Sequence, residues 1–149
     1  MTAKHVCWSS LTLSAILLLV GCGGGVPRCY PVSGSVTVQG RPAVGAIVIL
    51  HPEGGSEALQ KLRPYGTVDE FGKFQLNCNA PGDGAPAGNY KVTIVWEAAD
   101  ADPVAPASTD PEAVVMVPDR LGGKYSKPES TSLRATVDSR ATELPPFQL

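Results

Sequence analysis

The chain has 149 residues, a length that suits one domain with short flanking segments. Its 12 Lys and Arg against 14 Asp and Glu give a formal charge of −2, which excludes both a broad basic face for nucleic acid and an acidic tract for cations. The 16 Gly and 14 Pro interrupt apolar stretches rich in Val and Thr, a balance that favours strands and turns over helices.

The first element is an apolar run, Leu11 to Val20, behind a short head carrying Lys4 and His5. It falls short of the ~20 apolar residues a bilayer span needs. It matches the apolar region of a secretory signal peptide. The run ends in Leu19-Val20-Gly21-Cys22, which resembles the lipobox of bacterial lipoproteins. That resemblance implies a signal peptide over 1–21, a diacylglycerol on the Cys22 sulfur, cleavage just before Cys22, and acylation (palmitate-type) of the new amino terminus. Several acyl chains hold a protein at a membrane where one anchors only marginally. Residues 22–30 then form the lipidated cysteine and a flexible tether, with Gly23-Gly24-Gly25-Val26-Pro27 supplying the reach. In enterobacterial lipoproteins an Asp after the lipidated Cys favours the inner membrane. Gly23 by resemblance favours the outer membrane, in a cell that has one.

The cysteines sort by fate. Cys7 leaves with the signal and Cys22 takes lipid, so Cys29 and Cys78 remain as an even pair in an exported compartment. Their spacing leaves open both a disulfide and two separate thiols, with Cys78 buried as a small apolar residue, because it does not fix the distance between the two Cα atoms.

Further along, Pro31 to Gly40 alternates, with Val32, Gly34, Val36 and Val38 on one face, and predicts a strand with one buried face. Gln39-Gly40-Arg41-Pro42 is a turn, and Ala46 to Leu50 reads as a central strand buried on both sides. Glu53 to Leu62 is polar, with a weak helical turn over 56–62. Tyr65 to Asp69 and Lys73 to Cys78 flank Asp69-Glu70-Phe71-Gly72 and predict a β-hairpin whose turn Asp69 caps. Asn79 to Gly88 is loop, and Asn89 to Glu97 is the strongest strand, placing Tyr90, Val92, Ile94 and Trp96 on one face. Ala98 to Pro111 has no periodicity and reads as an exposed excursion. An ordered turn over 118–128, a strand over 133–137 and a last strand over 143–149 follow. Pro145-Pro146 confines that last strand to a sheet edge.

Three of these segments combine. Pro31-Val32-Ser33-Gly34-Ser35-Val36-Thr37-Val38 with Gly40-Arg41-Pro42 and Val44-Gly45-Ala46 is one. Thr67-Val68-Asp69-Glu70-Phe71-Gly72-Lys73-Phe74 is the second, and Pro86-Ala87-Gly88-Asn89-Tyr90-Lys91-Val92-Thr93-Ile94 the third. In order and spacing they resemble the carboxypeptidase regulatory-like domains, which are transthyretin-like. The end of the chain, Lys124-Tyr125 through Leu133–Val137 to Leu144–Leu149, resembles the ends of small bacterial lipoproteins built on that domain. The implied fold is all-β: an antiparallel, Ig-like or transthyretin-like sandwich of about seven strands over 31–149, with long loops at 53–63 and 98–122.

Residue chemistry points away from catalysis. His51 is the one histidine beyond the signal, it precedes Pro52 at a strand end, and no Gly-x-Ser-x-Gly elbow marks a nucleophile. Cys29, His51 and Cys78 lack zinc spacing. Asp69, Glu70 and Asp83 do not match a calcium loop and read as turn residues. Tyr65, Tyr90, Trp96 and Tyr125 suggest a sugar platform, but Tyr90 and Trp96 share a core face. The expectation is a non-enzymatic module without cofactor or metal. It would be held by lipid in the cell envelope, at the outer or another membrane, in the periplasm or at the surface. It would play a structural or protein-interaction part, with carbohydrate binding as the alternative. Its partners would be the membrane, an envelope protein or a polysaccharide, and its ligand residues are unspecified; specificity would lie in the two long loops.

Overall fold

A computed structural model describes residues 27–98 and 117–149 of the chain. The lipobox, Cys22, the tether up to Val26 and positions 99–116 of the long loop lie outside the described residues.

The chain is all-β, with one short helix. Strand β1 is Cys29–Tyr30, β2 is Val32–Val38, β3 is Arg41–Pro42 and β4 is Ile47–Pro52. Helix α1 is Glu57–Gln60, followed by β5, Tyr65–Thr67, and β6, Lys73–Gln75. Then come β7, Ala85–Pro86; β8, Gly88–Val95; β9, Arg134–Val137; β10, Thr142–Glu143; and β11, Phe147–Gln148. The described residues thus hold eleven strands rather than about seven. The excess comes from short segments that share one long partner.

That partner is β2. On one side it pairs antiparallel with β6 and β3; on the other it pairs parallel with β10 and β11. The sequence suggested antiparallel pairing throughout, and the two C-terminal pairings depart from it. Leu144-Pro145-Pro146 separates β10 from β11, since proline has no N–H for a ladder. The second sheet runs β5-β4-β8-β9, antiparallel throughout. A third pairing joins β1 to β7.

One core takes side chains from both larger sheets. Val32, Val36, Phe74, Leu144 and Phe147 come from the β2 sheet and its connections, and Val48, Leu50, Tyr90, Val92, Ile94, Ala135 and Val137 from the other. The period-two pattern of β2 and β8 is the physical cause, since it sends alternate residues to one face. Phe74 and Phe147 stack with ring centroids 6.4 Å apart, tying β6 to β11 across β2. Strand β4 is central, yet only Val48 and Leu50 are buried; Ile47 and Ile49 are half-buried, so its outer face is not closed as its composition suggested.

Two turns follow their local chemistry. Gln39 and Gly40 both have positive φ, +50° and +76°, the pair of values a two-residue hairpin loop needs. In the 69–72 turn, Asp69 Oδ1 accepts the N–H groups of Phe71 and Lys73 at 2.9 and 2.8 Å. The arms of that hairpin are joined at both ends, by Asp69 N–H to Lys73 O beside the turn and by the Tyr65–Asn77 bridge. On their outer edges β5 pairs with β4 and β6 with β2, so the expected hairpin carries the chain from one sheet to the other.

Candidate functional site

Register places the connections at two opposite ends. Strand β4 begins at Ile47, beside Thr67 and Val95, and ends at Pro52, beside Tyr90. Near Ile47 lie the turns at 39–46 and 68–72 and the segment after Val95. Near Pro52 lie α1, the 77–88 loop and the strand β1 by which the chain enters the fold. The stem of the 98–122 loop and the N-terminal entry therefore occupy different ends, and the 53–63 loop with α1 lies at the entry end.

At the loop end, Asp119 gathers backbone donors. Its Oδ1 accepts from the N–H groups of Trp96 and Leu121 at 3.0 and 3.1 Å, and its Oδ2 from Gly123 at 2.9 Å. Ala98 N–H bonds Pro118 O at 3.0 Å and Arg120 N–H bonds Trp96 O at 2.8 Å. These bonds close a stem at the base of the long excursion, fixing where the chain leaves and returns. Trp96 is its joint. The indole N–H donates to Val44 O at 2.9 Å, and the Arg120 guanidinium lies 5.0 Å from the ring centroid. At this end of the sheets Val44, Phe71 and Val117 are 50%, 73% and 36% exposed.

At the entry end a second carboxylate does the same work. Asp83 accepts the N–H groups of Cys78, Asn79 and Ala80 at 2.7, 2.9 and 3.0 Å. Burial pushes the Asp83 carboxyl up, but these three donors outweigh it and hold the group below its ordinary value. Gly84, at φ +87°, lies so close to the Tyr30 carbonyl that a Cβ there would run into it. That contact lets β1 dock. Cys29–Tyr30, expected as tether, is consequently part of the fold.

The expected site residues separate. Cys29 and Cys78 come together, and both are free thiols. His51 Nε2 lies 2.9 Å from the Thr93 hydroxyl; burial, then the Arg63 charge, lowers its pKa below 6.5 against an opposing pull from Glu129. It is a neutral, hydrogen-bonded side chain at pH 7. Tyr90 is fully buried, its hydroxyl donating to Pro86 O at 2.6 Å, and burial raises its pKa. Tyr65 is half-exposed, on the first arm of the hairpin and at the far end from the turn that carries Phe71, and Tyr125 packs half-buried beside the core under Lys124. Asp69 and Asp83 spend their oxygens on backbone donors, and among the described residues no group of three His, Cys, Asp or Glu side chains is arranged for a metal. Sequence reasoning missed Asp119 and Arg120. An Asp shortly before Gly122-Gly123 is a turn signal that marks the first of them.

The chain matches no known protein family and no curated relative.

Proposed function

We propose that this chain is an exported, lipid-anchored, non-catalytic module built on a transthyretin-like sandwich, with a structural or protein-interaction role in the cell envelope. The observation that carries the reading is the placement of the N-terminal entry and the loop stem at opposite ends of the sheets. A lipid on Cys22 would fix the first end near a membrane, and the second would face outward with Val44, Phe71 and the stem of the long loop. Exposed apolar side chains beside a rigid stem suit contact with another protein. Glycan binding has less support, because Tyr90 is closed in the core and Arg120 covers a face of Trp96.

The test is intact mass and detergent partitioning after expression in a lipoprotein-competent bacterium, beside Cys22→Ser. A chain that starts at Cys22, carries acyl mass and enters the detergent phase, with all three lost in the variant, supports the anchor. An unmodified, water-soluble chain overturns it. Cross-linking in whole cells, with and without Phe71→Ser, then tests the outward end. A cross-linked envelope protein that disappears in the variant supports a protein partner, and retention on envelope polysaccharide in its place supports the alternative.

A further inference from the structure

Cys29 and Cys78 are 49 positions apart in the sequence, and the fold brings the Cys29 sulfur to within 3.3 Å of the side chain of Asn79, next to Cys78, with the two thiols in hydrogen-bonding reach of one another. Both are half-buried, so a small oxidant reaches them while bulk solvent does not surround them. Neither sits on a floppy segment. Cys78 is held through its N–H by Asp83, and the Asn79 side-chain amide donates to the Cys29 sulfur at 3.3 Å. Cys29 is fixed in register opposite Pro86.

That register exposes a weakness. Strand β1 has two residues, and Pro86 has no N–H to give to the ladder. The first contact between the entering chain and the domain thus rests on few hydrogen bonds. It is also where any pull on the N-terminal segment arrives first.

We propose that Cys29 and Cys78 form a disulfide that fastens the first strand to the body of the domain. The oxidant is a small disulfide such as oxidised glutathione. A thiolate on one cysteine attacks it and releases one glutathione thiolate; the other cysteine's thiolate then attacks the mixed disulfide at the protein sulfur and releases the second. One S–S bond breaks and one forms. The protein loses two electrons to the oxidant, and the two thiol protons end on the two reduced glutathiones. The crosslink closes a loop of about 50 residues, and loops of that length gain well from closure. The inference stands on the described residues alone and does not depend on the lipid anchor.

The test uses the full chain, reduced, freed of reductant, then treated with oxidised glutathione and quenched by alkylation. Peptide mass mapping should find one Cys29–Cys78 crosslinked peptide pair lacking two hydrogens. The oxidised protein should melt on the order of 10 °C above the reduced one. Amide exchange over 28–31 should slow on oxidation. Glutathione adducts or alkylated thiols at both positions, or a crosslink to Cys22, overturn the proposal. So do equal melting and equal exchange in the two redox forms. A Cys29→Ser, Cys78→Ser double variant should lose the redox response; if it fails to fold, the two forms of the natural chain carry the test alone.

Discussion

The two ends of this molecule use one device for different purposes. Asp83 at the entry end and Asp119 at the loop end each gather three backbone N–H groups and hold an irregular segment in one shape. At the entry end the segment so held is pressed against the first strand, with Gly84 against Tyr30 and Cys78 against Cys29. At the loop end it closes a stem and leaves Val44 and Phe71 in solvent. The lesson is that rigidity and exposure are separate choices. On the function proposed above, one end is rigid to hold the chain and the other to present it.

The sharpest way to break the entry end is Gly84→Ala. The new Cβ meets the Tyr30 carbonyl, and an L-residue at φ +87° is strained as well. We expect a loss of about 2–4 kcal/mol in denaturant unfolding. Hydrogen exchange should show β1 released from β7 while the 96–98 and 118–120 stem keeps its protection. Equal loss at both ends would mean that they are not independent.

Removing either carboxylate is the next largest effect. Asp83→Ala and Asp119→Ala should each cost about 1–3 kcal/mol, since each strands several backbone donors. The two should loosen opposite ends when mapped by hydrogen exchange. The Asp83 contribution should also depend on pH. The folded-state pKa of Asp83 is depressed, so its contribution is present above the ordinary value of 3.8 and is lost as pH falls through its folded value. The natural chain should therefore lose stability on acidification below about 4, and Asp83→Ala should lose less.

The thiols give a rate effect. Burial, and then the hydrogen bond with Cys29, push the Cys78 thiol up to about 12. Only the thiolate attacks a disulfide, so oxidation by glutathione should speed up about tenfold per pH unit between 7 and 9. A rate that levels off near pH 7 would show a low-pKa thiol and a different environment from the one described.

How much of this was legible follows from where each signal resides. Strands β2, β8 and β9 were readable because period two is written in consecutive residues. The Asp69 turn was readable because its chemistry is local. The outer partners of the hairpin arms were not, since β5 and β6 pair with distant strands, β4 and β2. Strands of two residues, β1 and β7, have no period to read. Pro145-Pro146 announced an edge but not that β10 and β11 would run parallel to β2. The site was less legible still. Trp96 shares the face of Tyr90 and Ile94, yet it lies just past the strand, where its indole reaches Val44 and Arg120 rather than the core centre. The meeting of Cys29 and Cys78 depends on β1 pairing with β7, which their spacing does not encode.

The smallest expected effect on stability tests the loop end most directly. Phe71 is 73% exposed and Val44 50%, so little apolar area is withdrawn from water at either side chain. Substitution of such surface residues usually changes stability by no more than about 0.5 kcal/mol. Phe71→Ser and Val44→Ser should therefore melt with the natural chain. Trp96→Ala should not, because it removes the indole bond to Val44 O and the surface under Arg120, about 1–3 kcal/mol. If Phe71→Ser and Val44→Ser keep their stability but lose the envelope cross-link, the exposed pair serves recognition. If they lose stability instead, the pair belongs to the packing of the two turns, and the contrast between a holding end and a presenting end fails at that point.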